Sequence, residues 1–466
     1  MIKINSADIS SSLPTIRKEL TVTPILYGDY NKWSEMNSTF KVYFEYGPVC
    51  YLPWFYAHKK GFLKNGVKNQ IMNYVESSRE YDISSEKWRF TGSLRPHQIQ
   101  AVECITKAYS EDMGGVLSLD CGMGKTVVAI KMISKLQLKT LIIVHKDFLA
   151  NQWLERLSMF LPNVSVGRIQ GQVVDIDGKD VVIAMLQSMS MKHYDVGIFE
   201  DFKHVVVDEC HHIAAKVFSR AMMKVKNSFK LGLSATPDRA DGLTRVLNWF
   251  LGDIVLSLRN KNEDVTNVKI LQYKPVETDD ILAVNGKISL PRMLNRLVED
   301  MPRNNMICEE IFKIVNSDKK RKILVLSDRR EHLQTLMRLC NQRYPLITTG
   351  LYIGGMKQKD LDDSCNADVL LSTYTMTSEG FDLASLNTIM FASPKANIHQ
   401  CVGRIHRKKH DINPLVIDIV DKISIFYGQH RKRVKFYEEN EYTMSKTTIK
   451  IEDNDNFKID GCMVAS

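Results

Sequence analysis

The sequence predicts an α/β protein: two tandem parallel-sheet lobes behind a small N-terminal domain. Three observations lead there. Short β-branched runs alternate with helical segments in two separate series, glycine- and carboxylate-bearing segments follow the ends of those runs, and the 466 residues are too many for one core. Continuous runs of Val, Ile and Leu mark strands covered on both faces, as in a parallel sheet wrapped by helices.

Residues 1–85 lack the alternation and are expected to form an N-terminal accessory domain, β-rich and able to bind nucleic acid or a partner. Phe40, Tyr43, Phe44, Tyr46, Tyr51, Trp54, Phe55, Tyr56 and Phe62 crowd around YGPVCYLPWFY. Rings interleaved with Lys59, Lys60, Lys64 and Lys68 are able to stack bases and touch phosphates. The reading preferred is that most of them form a small core. Residues 86–255 carry VLSL, TLIIVH, DVVIAM, HVVVDE and KLGLSAT as the strands of a first lobe. Residues 256–445 carry VKILQY, KILVLS, ADVLLST, TIMFAS and PLVIDIV as those of a second. Between its first two strands, LPRMLNRLVEDM spaces its apolar residues as a packing helix does. Residues 446–466 offer a strand and an acidic tail.

The net charge is +9, from 63 basic and 54 acidic residues, which suits a polyanionic partner without specifying one. The nine cysteines are scattered, odd in number and without CxxC spacing, so neither a disulfide framework nor a zinc site is expected and the compartment should be reducing. MIKINSADISSSLP has no apolar signal-peptide core, and no stretch reaches the roughly 18 apolar residues of a membrane span. The expectation is a soluble intracellular protein with no membrane partner.

Five segments in one order carry the chemistry: LDCGMGKT, DECHH, LSATPDR, SEGFDL and QCVGRIHR. In the first, Cys121, Gly122, Met123 and Gly124 form a loop between a strand and a helix, where backbone amides and the helix N-terminus can surround the phosphates of ATP. The glycines permit close backbone approach, Lys125 would neutralise the β and γ oxygens, and the Thr126 hydroxyl would hold Mg2+. Asp208 is the second expected magnesium ligand, and Glu209 the group that orients and deprotonates the attacking water. His211 and His212 lack the further spacing of a metal site. His211 is instead expected to relay nucleotide state to Ser234, Ala235 and Thr236.

In the second lobe Arg404 and Arg407, three residues apart, are expected on one side of a helix as arginine fingers, with Gln400 sensing nucleotide. Thr373, Glu379, Gly380 and Asp382 would couple nucleotide state to a nucleic-acid strand, with Asp382 placed to bond the ribose. Lys146, Gln152, Gln187 and Ser188 follow strand ends of the first lobe and are candidate phosphate or sugar contacts, although Gln and Ser at helix starts also serve as caps.

From Leu94 to about Asp421 these motifs resemble those of superfamily 2 helicases of the DEAD/DEAH-like type. LRPHQ, CGMGKT, DECHH, LGLSATPDRADGL and QCVGRIHRK are most similar to the branch containing the XPB-type and UvsW-type enzymes and the helicases of large cytoplasmic DNA viruses. The resemblance implies RecA-like lobes and makes LRPHQIQAV the adenine-reading segment, with Gln98 on the base edge and Arg95 nearby. It also implies ATP and Mg2+ as cofactors, DNA as the nucleic-acid partner, 3′ to 5′ polarity, a role in viral transcription, replication or recombination, and the corresponding machinery as partner. Leu119 in the phosphate loop and Cys401 in the arginine motif depart from the pattern without removing a reacting group. Three alternatives stay open at this level: a duplex translocase, an RNA helicase, and a polymerase-docking factor in which ATP is a switch.

Overall fold

The computed structural model describes residues 1–24, 39–63, 66, 69, 72–73, 86–120, 122–210, 215–226, 228–235, 242–259, 265–275, 277–283, 286, 288–378, 383–452 and 456–464. The expected site residues Cys121, His211, His212, Thr236, Glu379, Gly380 and Asp382 lie outside this set, as do Lys64 and Lys68. The chain divides into two compact units, Met1–Asn260 and Lys261–Ser466.

The first unit opens with strands β1 (Ile2–Asn5), β2 (Thr21–Val22), β3 (Phe40–Lys41), β4 (Phe44–Tyr46) and β5 (Val49–Leu52) and helices α1 (Leu13–Glu19) and α2 (Trp54–Lys59). β1, β5 and β4 make a three-stranded antiparallel sheet, and β2 pairs with β3. Then come α3 (Pro96–Asp112), β6 (Gly114–Leu119), α4 (Lys125–Leu136), β7 (Thr140–Val144), α5 (Asp147–Phe160), β8 (Val166–Gln170), β9 (Val173–Asp175), β10 (Val181–Met185), α6 (Leu186–Met191), β11 (His204–Val207), α7 (Ala215–Met222), β12 (Phe229–Ser234), α8 (Thr244–Leu251) and β13 (Ile254–Leu258). The sheet order is β13-β6-β12-β11-β7-β10-β8-β9, parallel throughout except for the β8/β9 hairpin. Every residue of β6, β7, β10, β11 and β12 is buried, which is why their sequences are predominantly apolar.

The N-terminal aromatics belong to that same core. Trp54, Phe55 and Tyr56 are buried in one hydrophobic cluster with the first sheet and its helices. Tyr56 meets Trp249 of α8 edge-on at 5.6 Å between ring centroids, and the Trp54 indole donates to the Asp112 carbonyl at 3.3 Å. The Phe55 ring lies so close to Gly114 and Gly252 that a Cβ on either would come within 2.8 or 3.0 Å of it. The compact unit accordingly begins at residue 1.

The second unit contains β14 (Asn267–Tyr273), α9 (Leu290–Glu299), α10 (Met301–Ser317), β15 (Ile323–Ser327), α11 (Arg330–Arg343), β16 (Thr349–Tyr352), α12 (Gln358–Ser364), β17 (Val369–Thr373), α13 (Tyr374–Ser378), β18 (Thr388–Phe391), α14 (His399–Val402), β19 (Leu415–Asp421), α15 (Ser424–Glu439), β20 (Thr443–Glu452) and β21 (Asn456–Val464). Its sheet order is β16-β17-β15-β18-β19-β14-β20-β21, with only β20/β21 antiparallel. Both sheets are thus the α/β lobes that the strand runs predict. The C-terminal stretch is part of the second one: β20 pairs in parallel with β14 along seven residues and β21 folds back on it.

Two buried ion pairs brace the second sheet. Arg303 of α10 grips Asp421 with two hydrogen bonds of 2.7 and 2.9 Å, both side chains wholly buried. Arg433 of α15 grips Asp418, which also accepts from the Tyr437 hydroxyl. The spare guanidinium donors of both arginines reach the segment after β18, Arg303 to the Ala392 carbonyl and Arg433 to that of Lys395, while the Tyr374 hydroxyl donates to Ser393 between them.

Candidate nucleotide site and nucleic-acid edge

Strand β6 ends at Leu119 and helix α4 begins at Lys125, so the intervening loop delivers its backbone to a helix N-terminus. Gly122 and Gly124 hold φ of +82° and +80°, a region that side chains with a Cβ avoid. A Cβ on Gly124 would also stand 2.3 Å from the Gln98 amide nitrogen, so the Gln98 side chain would have to shift off the loop. Lys125 is buried and donates from Nζ to the Leu119 carbonyl at 2.9 Å. Thr126 is half-buried in the first turn of α4.

Asp208 follows β11 and is 6% exposed. Its Oδ2 accepts from the Trp153 indole at 2.8 Å and its Oδ1 from the Glu209 backbone amide at 2.9 Å. Burial, reinforced by the neighbouring Glu209 charge, pushes the Asp208 carboxyl up to about 6, against the opposing influence of Trp153 and Lys125. Glu209 itself has φ of +45°, rare for a residue with a Cβ, which fits a turn at a strand end where function dictates the backbone. Ser234, at the end of the neighbouring strand β12, is fully buried.

These groups fit ATP with Mg2+. The loop carries two glycines at positive φ, the Lys125 ammonium lies against its start, and that charge acts on Asp208. Among the described residues no cluster of three or more His, Cys, Asp or Glu could hold a metal by itself.

Gln98 is held on the phosphate loop: its Oε1 accepts from the Arg95 amide and its Nε2 donates to the Met123 carbonyl, at 2.9 and 3.1 Å. His97 reaches the same carbonyl at 3.0 Å. The first turn of α3 therefore clamps the phosphate loop, and Arg95 is the exposed N-cap residue of that helix.

The sheet brings Lys146, Gln187 and Ser188 to one edge, because β7 and β10 are neighbours and both run toward it. Gln187 donates to the His145 carbonyl at 2.9 Å, and the Ser188 hydroxyl accepts from the Gly171 amide at 2.9 Å, tying down the β8/β9 turn. Gln152 is half-buried on α5. In the second unit Thr373 closes β17 and accepts weakly from the Met376 amide, and Gln400 is half-buried on α14. Arg404 lies in a 3-10 turn, Gly403–His406, that continues α14. At three residues per turn it eclipses Arg407, so the two still share a side. Arg404 is 4% exposed and Arg407 half-buried.

Sequence reasoning missed Trp153 and His97. A tryptophan inside an otherwise amphipathic helix was the signal for the first, but its partner lies 55 residues away.

Residues 91–239 match the family model "Type III restriction enzyme, res subunit", and residues 303–409 match "Helicase conserved C-terminal domain". Protein L396 of Acanthamoeba polyphaga mimivirus, named as an ATP-dependent RNA helicase, is 33% identical over 446 residues, covering 94% of this chain and 84% of that protein. Helicase 161L of Invertebrate iridescent virus 6 is 28% identical over 379 residues, covering 76% of this chain and 82% of the relative. A fragment of an HsdR subunit of a type I restriction enzyme from Vibrio vulnificus shares the fold with a TM-score of 0.56 at 16% identity, over 80% of this chain and 72% of that one. No described helix is long and apolar enough to cross a membrane.

Proposed function

Because the chain belongs to the DEAD/DEAH-like superfamily 2 helicases, ATP-driven enzymes that act on nucleic acid, and is related to those of large DNA viruses, we propose that it is a DNA motor. It couples ATP hydrolysis to movement on, or unwinding of, DNA in viral transcription, replication or recombination. The observation that carries the reading is the phosphate loop facing a buried carboxylate, with Lys125 close enough to act electrostatically on Asp208.

In this mechanism Gly122 and Gly124 bring backbone amides to the phosphates, and Lys125 exchanges the Leu119 carbonyl for the β and γ oxygens. Thr126 and Asp208 are the residues for Mg2+, which when bound spreads the negative charge of the phosphates. Glu209 orients a water and takes its proton. Arg404 and Arg407 meet the charge that develops on the γ-phosphate, a contribution of roughly 10³ to 10⁵ in turnover for such groups, and Gln400 senses the nucleotide. Gln98 holds the loop through Met123, so the reading gives it a role in loop geometry besides the base contact the family resemblance implies. Lys146, Gln152, Gln187, Ser188 and Thr373 contact the nucleic-acid backbone, with Gly380 and Asp382 coupling that contact to nucleotide state.

The test is steady-state hydrolysis without nucleic acid and with single-stranded, duplex and forked DNA and single-stranded RNA, with Glu209→Gln as the blank. Stimulation by DNA alone supports the proposal. A second reading, an RNA helicase, is favoured by the name of the mimivirus relative and by the backbone character of the contacts; stimulation by RNA alone would select it.

A further inference from the structure

Two buried tryptophans of the first unit donate hydrogen bonds, and they do so differently. Trp54 spends its indole N–H on a main-chain carbonyl, that of Asp112 at 3.3 Å, which any structural tryptophan can do. Trp153 spends its own on a carboxylate oxygen, Asp208 Oδ2, at 2.8 Å. The placement follows from topology. β7 and β11 are adjacent parallel strands, α5 follows the end of β7, and its second turn leans over the residue that follows β11. Trp153 is 1% exposed and among the largest fully buried side chains, so its ring has one orientation.

We propose that Trp153 is a positioning residue for Mg2+ binding, fixing the rotation of the Asp208 carboxylate so that its remaining lone pairs face the phosphate loop. The inference rests on the reading of Asp208 as a magnesium ligand. A carboxylate turns readily about its last bond. Here one neutral donor takes each oxygen, the indole on Oδ2 and the Glu209 amide on Oδ1, which fixes the plane yet leaves a lone pair on each oxygen. Neither donor carries a charge to compete with a cation. A bond to an ionised acceptor is worth more than a neutral one, so loss of the indole donor is expected to weaken Mg2+-dependent binding about ten- to a hundredfold.

The experiment compares wild type with Trp153→Phe, which keeps an aromatic ring and removes the donor. Binding of a fluorescent ATP analogue is titrated with Mg2+ and, separately, in EDTA, beside a thermal melt. The expected result is unchanged affinity in EDTA, a ten- to hundredfold higher Mg2+ requirement, and no further change when Trp153→Phe is added to Asp208→Asn. An unchanged Mg2+ requirement, or equal losses with Mg2+ and with EDTA, would overturn it. Should Trp153→Phe not fold, indole ¹⁵N–¹H spectra of tryptophan-labelled wild type and Asp208→Asn decide: one indole resonance must move between them, and coincident spectra sink the proposal. Wild-type binding that ignores Mg2+ would overturn the magnesium reading of Asp208 and this inference with it. A Mg2+-dependent wild type with an indifferent Trp153→Phe overturns the inference alone.

Discussion

Asp208 in the first unit and Asp418 and Asp421 in the second are all shut away from water on or just beyond central strands, yet they are held by opposite chemistry. Asp418 and Asp421 each face a guanidinium that is equally buried. Asp208 has two neutral donors, an indole and a backbone amide. Burial by itself would push Asp418 up, but the Arg433 charge and hydrogen bonds hold it below the usual carboxylate range. At Asp421 burial prevails over Arg303 and the carboxyl sits above that range. At Asp208 burial and its like-charged neighbour Glu209 act together and raise the carboxyl to about 6. The second unit uses its acids to brace the sheet; the first holds one on neutral donors with the Lys125 charge acting on it.

Asp208→Asn should break this contrast most visibly, lowering Mg2+-dependent ATP hydrolysis about a thousandfold, roughly 4 kcal/mol, in a steady-state assay. Next comes Asp421→Ala, which leaves the Arg303 guanidinium buried without its acid and should cost about 3–5 kcal/mol in denaturant unfolding. Replacing both partners by Met and Leu should recover most of that loss.

Asp208→Asn should also act on stability with the opposite sign. A carboxyl whose folded value is raised contributes stability at low pH and loses it as pH climbs through about 6. The variant should therefore be more stable than wild type by about 3 kcal/mol at pH 8, with the gain vanishing below about pH 4. Asp418 runs the other way: its lowered value stabilises above the ordinary carboxylate range, and that contribution is lost in acid. The smallest effect is Tyr437→Phe, which removes one donor from Asp418 while Arg433 remains, at about 1 kcal/mol by chemical denaturation.

The contrast also shows what a linear reading can reach. Gly122, Gly124, Lys125, Asp208 and Glu209 were legible because each chemical role sits at a fixed offset from a strand end, and the β-branched runs located those ends. Trp153 was not, because its significance is a contact between α5 and the residue after β11, set by which strands are neighbours in the sheet. The motif marks Gln98 as a base contact, and its further hydrogen bond to the loop at Met123 exists only once α3 has packed. TTIKIEDNDNFKID offers no long apolar run, yet it supplies two strands, because β14 presents an open ladder for main-chain hydrogen bonds whatever the side chains. The aromatic cluster around Trp54 was visible as a core, but its partners, Gly114, Trp249 and Gly252, lie far along the chain.

That last arrangement has a temporal side. Phe55 cannot reach Gly252, nor the Met1 amine the Val225 carbonyl, until about 250 residues have left the ribosome. At translation speeds of about 5–20 residues per second, the aromatic segment waits roughly 10 to 40 seconds with Trp54, Phe55 and Tyr56 exposed. The nascent chain is thus most vulnerable to aggregation while the motor's first lobe is still being synthesised, and any chaperone that serves it should bind there first.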